Sequence, residues 1–232
     1  MMKSQMTQFI RPATPRAAAV AGILFSIFFT ITIILIRLSV PTAPTTVNDW
    51  TDATRSQIGL ALRLMPFAGI FFLWFVGVVR DRLGEFEDKF LSTVTLGSGI
   101  LFLGMTFVAM AIGAGMLAVY QIGGGQAMTV ELYALNRAVM SQVFNTYGLK
   151  MAGVFMISIS TLWLRTGVMP RLLCILTYLL ALVLLVTTSL NLWMVLIFPA
   201  WVLIISVYIL IVNFSPKPSG SAGVKTARSM AK

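Results

Sequence analysis

Six long apolar runs constrain the fold of this chain more than any other feature of its sequence. A bilayer core of about 30 Å requires about 20 consecutive apolar residues in a helix that rises 1.5 Å per residue. Runs of this length with few charges inside them predict membrane-spanning helices. We place the six spans at about residues 17–36, 57–79, 93–119, 147–164, 172–190 and 193–214.

The composition agrees with a protein that lies mostly in lipid. Charged residues make up 10% of the chain and hydrophobic residues 58%, whereas soluble domains carry about 25% charged residues. Backbone amides inside a bilayer must be hydrogen-bonded within their own segment, and the runs lack the alternation of a barrel strand. The sequence therefore predicts an all-α integral membrane protein, a bundle of six transmembrane helices.

The distribution of basic residues predicts the orientation of the bundle. With both termini cytoplasmic, twelve of the 17 Lys and Arg residues lie on the cytoplasmic side and five on the outer side, in agreement with the positive-inside rule. Residues 1–16 are then a basic cytoplasmic N-terminus and 17–214 the transmembrane domain. The Pro-, Gly- and Ser-rich residues 215–232 are expected to be a disordered, basic cytoplasmic tail.

Few residues of this chain suit catalysis, metal binding or nucleic-acid binding. It has no histidine and a single cysteine, Cys174, which lies inside an apolar run. A disulfide within the chain is therefore excluded, and ordinary zinc or haem sites are not expected. The net charge of +10 is scattered between apolar runs, which indicates membrane orientation and no nucleic-acid partner. We expect the lipid bilayer as surroundings, no cofactor and no enzymatic activity.

Three basic residues in or beside the spans are candidates for binding. Arg63 lies six residues into the second span, and an ionisable residue inside a span is by default a functional candidate. Arg37 and Lys150 are expected at a similar depth near the outer surface. The three side chains form a basic pocket for an anionic solute or lipid, or extend to the interface on their aliphatic stems, or pair with the outer acidic residues Asp49, Asp52 and Glu131.

The most charged stretch, "VVRDRLGEFEDKF" at residues 78–90, connects the second and third spans. Together with the preceding glycine it resembles the G-x-x-x-D-R-x-G motif that major facilitator transporters carry in the same cytoplasmic loop. In that family the loop gates alternating access, so the resemblance implies a gate formed by Gly77, Asp81, Arg82 and Gly84. The alternative interpretation is a solvated helical hairpin, in which opposite charges pair along one helix face.

A second stretch, "WLRTGVMPRLL" at residues 163–173, is similar to hairpin turns in small uncharacterised bacterial multi-pass membrane proteins. In such a turn Gly167 ends one helix and Pro170 starts the next, because glycine accepts the left-handed conformation and proline suits a helix start. The resemblance implies the cytoplasmic membrane of a bacterium. It implies no activity.

Small residues recur every four positions in the third span, which predicts close packing because backbones approach each other at such positions in lipid. We expect this span at the centre of the bundle, or at a contact with another copy or another membrane protein. After it, the helical spacing within the outer segment 121–146 favours a short helix on the outer membrane surface. The small-residue pairs are Ala109 and Gly113, Ala111 and Gly115, and Ala114 and Ala118.

Two functional interpretations remain open. The first is a non-enzymatic, membrane-embedded subunit or scaffold that acts through helix–helix contacts, and the scarcity of polar residues in the last two spans favours it. The alternative is a transporter of a small solute or anion, with Arg63 as a contact and the Asp81–Arg82 turn as a cytoplasmic gate.

Overall fold

The computed structural model describes residues 14–40, 50–83, 89–123, 128–167, 169–186 and 192–214. Nearly all of these residues are helical and none forms a strand, so the predicted all-α class is confirmed for this part of the chain. The expected basic N-terminus and disordered tail lie largely outside it. The helices are α1 (Thr14–Ser39), α2 (Asp52–Leu83), α3 (Lys89–Gly123), α4 (Val130–Gln142), α5 (Leu149–Thr166), α6 (Arg171–Val186) and α7 (Leu192–Phe214).

Among the described residues, five helical segments are long and apolar enough to cross a membrane. Four of them belong to α1, α2, α3 and α7, and the fifth is the continuous stretch Val130–Thr166, which contains α4 and α5. The remaining helix, α6, is also apolar but has only 16 residues. It is therefore about 24 Å long, somewhat shorter than the hydrocarbon core of a bilayer.

The helix expected within the outer segment 121–146 is present, but it is not a separate element. Thr129 caps α4 by accepting a hydrogen bond from the backbone N–H of Leu132 (3.2 Å). At its other end α4 continues through a π-helical turn, Val143–Gly148, directly into α5. The outer helix and the fourth predicted span are thus one long helix, which stands beside α3.

Asn145 supports this π-helical turn. A π turn shifts backbone hydrogen bonds from the fourth to the fifth preceding residue, and this releases a carbonyl group. The Asn145 Nδ2 atom donates to the Ser141 carbonyl oxygen (2.7 Å) and also to the Ser141 Oγ atom (2.9 Å). The side chain thereby supplies the hydrogen bond that the wider turn takes from the backbone.

Helices α1 and α2 pack antiparallel. On α1 and α2 the rings of Phe25 and Phe72 lie 4.9 Å apart. Near the end of α1 and the start of α2, Ser39 Oγ donates to Gln57 Oε1 (2.9 Å). Beyond that point an aromatic cluster joins the ends of α2, α3 and α4. Its rings belong to Trp50, Tyr120 and Tyr133, with centroids 5.2 and 6.1 Å from Trp50.

The last helix returns to the first. Phe198 on α7 lies 6.0 Å from Phe25 on α1, and a Cβ atom at Gly22 would overlap the hydroxyl group of Ser206. Position 22 precedes 25 whereas position 206 follows 198, so α1 and α7 are antiparallel. The start of α1 and the end of α7 therefore lie at the same end of the bundle. We refer to the opposite end as the distal end.

The turn between α5 and α6 has the residues that its sequence predicted. Gly167 ends α5 in the left-handed conformation (φ 66°), which other residue types rarely adopt. The Pro170 carbonyl oxygen accepts the backbone N–H groups of Leu173 and Cys174 (3.0 and 3.3 Å) and so begins α6.

Candidate functional site

The centre of the bundle is filled by phenylalanine rings from five helices. Rings from α1, α2, α3, α5 and α7 meet there, and each side chain has 0% of its surface exposed. Neighbouring ring centroids lie between 4.6 and 6.1 Å apart in tilted or edge-to-face pairs, which is the favoured geometry of aromatic contacts. The rings, which we call the phenylalanine core, are those of Phe25, Phe29, Phe72, Phe102, Phe155 and Phe198.

Polar side chains near this core bind helices to each other. Trp201 Nε1 on α7 donates to Thr177 Oγ1 on α6 (2.9 Å). Ser160 Oγ on α5 donates to the carbonyl oxygen of Cys174 on α6 (3.0 Å). Both contacts are buried. Hydrogen bonds of this kind hold transmembrane helices together, and they use polar groups that a hydrophilic pathway would need.

Arg63 and Arg37 lie on opposite sides of α1. Arg63 is exposed on α2, and α2 contacts the side of α1 that carries Phe28, whose ring lies 5.4 Å from Phe71. Arg37 follows Phe28 by nine residues, which is two and a half turns at 3.6 residues per turn. It therefore points away from α2. The structure does not bring Arg37 and Arg63 into one pocket.

Arg137, on α4, lies level with Arg37 along the bundle, because the ring of Phe29 lies 6.3 Å from that of Phe144 and each arginine is seven or eight residues from its phenylalanine on antiparallel helices. Sequence reasoning placed Arg137 on the outer helix without assigning it a role. The sequence carried one signal for the position of Arg137. Arg137 precedes Phe144 by seven residues, which is about two helical turns, so the two side chains lie on the same helix face.

Lys150 lies deeper than the sequence suggested. It falls between Gly148, which packs against Met105, and Phe155, which packs against Gly99. Because α3 and α5 are antiparallel, this places Lys150 opposite residues 102 and 103, at the level of the phenylalanine core. Its side chain is half-buried. Arg37 instead lies two residues from the end of α1, so the two residues are at different levels along the bundle axis; their depth in a membrane stays a prediction.

The expected gate motif is only partly within the described residues. Gly77 is an exposed residue of α2, and the backbone of α2 remains helical through Asp81 and Arg82 to Leu83. The structure does not describe the side chains of Asp81 and Arg82, nor any part of Gly84. Because the residues that follow Leu83 are not described, the gate and the helical hairpin both remain predictions.

The small residues of α3 lie on two different faces. Ala109 and Gly113 are buried, and a Cβ atom at Gly113 would lie 3.4 Å from the sulfur of Met140. Ala111 and Gly115 are exposed on the outside of the bundle. Gly104 is a further exposed glycine of α3. Both Gly104 and Gly115 have open space where a Cβ atom would be. We call the exposed positions Gly104, Ala111, Gly115 and Ala118 the outer small face.

Within the described part of the chain, no three His, Cys, Asp or Glu side chains come together to hold a metal ion. Comparisons of the chain with protein-family models, with curated proteins and with solved structures find no match. Function is therefore inferred from the residues of this chain.

Proposed function

We propose that this protein is a non-enzymatic, multi-pass membrane subunit or scaffold that acts through lateral helix–helix contacts. The observation that carries the proposal is the phenylalanine core, which fills the bundle axis with six fully buried rings. Interdigitated aromatic packing leaves an interior suited to rigid support, since packed cores do not deform continuously. The polar groups around it are used to join α5, α6 and α7.

The proposed membrane arrangement has six crossings, with α6 as the short fifth crossing and both termini cytoplasmic. Helix α6 packs along α5, where Gly153 approaches Leu185 and Ala181, and it is hydrogen-bonded to α7 through Thr177. The count of basic residues on the two sides supports this orientation, with the distal end outside. The resemblance of the 163–173 turn supports a bacterial cytoplasmic membrane.

The outer small face of α3 is the proposed contact surface. Glycine destabilises a helix by about 1 kcal/mol relative to alanine, yet nothing within 4 Å inside the chain requires glycine at 104 or 115. Small residues on a lipid-facing surface permit another helix to approach closely. The partner is a second copy of the chain or another membrane protein.

Native mass spectrometry of the protein extracted gently from its own membrane tests this proposal. We expect a homo-oligomer or a co-extracted second polypeptide. Gly104→Leu and Gly115→Leu should each release it, because a leucine would hold the partner helix away. Gly59→Leu is the matched control, since Gly59 also has open space within 4 Å but lies on α2. A monomer without companions in every sample, or equal loss with Gly59→Leu, would contradict the proposal.

Transport of a small solute or anion is the second candidate, and the depth of Lys150 favours it. A basic residue at mid-depth of a bundle is costly in lipid and is often part of a solute or proton pathway. In this case Lys150→Leu and Arg63→Leu should alter uptake of an anion into proteoliposomes while insertion remains intact. Uptake that neither substitution changes would leave the scaffold as the better account.

A further inference from the structure

We propose that the outward side of the α4–α5 helix, at Gln142, Thr146 and Lys150, binds a transmembrane helix of another protein that carries an aspartate or glutamate within its span. We call these three residues the polar stripe. The inference rests on the proposed scaffold function, because it concerns a lateral contact in the membrane. It uses a surface other than the outer small face of α3, and it names the chemistry of the partner.

The polar stripe faces away from the rest of the bundle. Its residues are spaced four apart, which is close to one helical turn, so they follow one another along one side of the helix. Lys150 precedes Phe155 by five residues, which places it about 140° around the helix axis from the side that contacts the phenylalanine core. Gln142 is exposed, and Thr146 and Lys150 are half-buried. Tyr147, beside Thr146, has 55% of its surface exposed.

The neighbouring helices contact other sides of the α4–α5 helix. Gly148 faces α3, where a Cβ atom would lie 3.6 Å from Met105, and Gly153 faces α6, where a Cβ atom would lie 3.0 Å from Leu185. Neither contact includes a residue of the polar stripe. Within the described part of the chain, the three side chains of the stripe take part in no hydrogen bond or ion pair. Their polar groups are therefore available to a partner.

Lipid is an unfavourable environment for the polar stripe. Lys150 is level with the phenylalanine core, and the outward residues on both sides of it are apolar, since Leu101 on α3 and Leu182 on α6 have 49% and 55% of their surfaces exposed. With the phenylalanine core at the middle of the bilayer, the headgroups begin about 15 Å away, which is farther than a lysine side chain extends. An ammonium group at this depth is costly unless it is paired.

A carboxylate in the partner helix would pair with Lys150, and Gln142 and Thr146 would add hydrogen bonds between the two helices. A second copy of this chain cannot supply the carboxylate. All 7 Asp and Glu residues lie outside the six predicted spans, and copies related by a rotation axis along the membrane normal present the same residues at the same level. The partner is therefore a different membrane protein.

A defined peptide tests this recognition. The full-length protein, labelled through an N-terminal tag, is reconstituted into phosphatidylcholine vesicles with a labelled polyleucine peptide of about 20 residues that has one central aspartate. Energy transfer is measured at a peptide density below that of its self-association. We expect the aspartate peptide to bind about tenfold or more tightly than the same peptide with a central leucine. Lys150→Met should remove this preference, and Lys150→Arg should retain it.

Three further variants make the result specific. Lys89→Met is the matched control, because it removes an exposed lysine at the start of α3 and should leave the preference unchanged. Gln142→Leu should weaken binding of the aspartate peptide roughly threefold. Gly104→Leu should leave peptide binding unchanged, because the outer small face is a separate surface. Failure of this inference is thereby distinguishable from failure of the proposed function, which Gly104→Leu tests in native mass spectrometry.

Four outcomes would overturn the proposal. Two are equal binding of the aspartate and leucine peptides, and an aspartate preference that Lys150→Met leaves unchanged. The third is energy transfer between two labelled copies, without peptide, that depends on Lys150, because it would assign the polar stripe to a second copy. The fourth is loss of the aspartate preference when phosphatidylglycerol is added to the vesicles, because it would assign Lys150 to a lipid phosphate.

Discussion

Substitution of Phe102 by alanine should strongly destabilise the bundle. The Phe102 ring is fully buried and contacts three rings of other helices, those of Phe198, Phe72 and Phe29, at centroid distances of 4.6, 5.5 and 5.8 Å. An alanine at this position removes all three contacts and leaves a cavity where α1, α2, α3 and α7 meet.

The expected cost follows from these contacts. In lipid the separated helices still bury phenylalanine in an apolar medium, so the hydrophobic transfer term largely cancels and the packing terms remain. Aromatic pairs contribute about 0.5–1.5 kcal/mol each beyond burial, and three pairs therefore contribute about 3 kcal/mol. This corresponds to a change of roughly a hundredfold in the folding equilibrium, at about 1.4 kcal/mol per factor of ten.

Reversible unfolding in mixed detergent–lipid micelles would measure this change. Phe90→Ala is the matched control, because Phe90 lies on the same helix with 73% of its surface exposed, and its substitution should change the free energy of unfolding by less than about 0.5 kcal/mol. If Phe102→Ala destabilised the protein no more than Phe90→Ala, the phenylalanine core would not hold the helices together and the structural support for a scaffold would be lost.

Two further substitutions test contacts of α6. Gly153→Ala should destabilise the bundle by about 1–3 kcal/mol, because the new Cβ atom would lie 3.2 Å from a carbonyl oxygen of α6. Gly59 lies in open space, so the control Gly59→Ala should stabilise the bundle by up to about 1 kcal/mol. If both substitutions had the same effect on thermal unfolding, the close approach of α5 and α6 at Gly153 would be contradicted. Thr177→Val should cost about 0.6–1.7 kcal/mol by leaving the Trp201 indole N–H without its acceptor. A double-mutant cycle with Trp201→Phe should assign that cost to the pair, whereas additive effects would show that the hydrogen bond contributes nothing, and Thr93→Val, at an exposed site, is the control.

The helices themselves were predictable because each depends on a short window of sequence. Every predicted span lies within or overlaps a helix of the structure, apart from residues outside its description. The turn at Gly167 and Pro170 was also predictable, since a left-handed glycine and a helix-starting proline act locally. The outer helix was recognised, although its continuity with α5 was not.

The partners of the basic residues were not predictable in the same way. The level of Lys150 along the bundle depends on the continuity of α4 with α5, which runs through a π-helical turn that Asn145 stabilises through its side chain. That Arg137 lies level with Arg37 depends on the register between α1 and α4, which the Phe29–Phe144 contact indicates. Hydropathy along the chain carries no information about either.

The sequence by itself determined that this chain forms apolar helices and where most of them begin and end, because backbone hydrogen bonding, hydropathy and turn chemistry act within a few residues. The tertiary structure alone decided which faces of those helices meet. It divided the small residues of α3 between a buried and an exposed face, gathered six phenylalanines from five helices, and set the levels of Arg37 and Lys150 along the bundle. These outcomes follow from the interlocking of side chains between helices, which depends on residues far apart in the sequence.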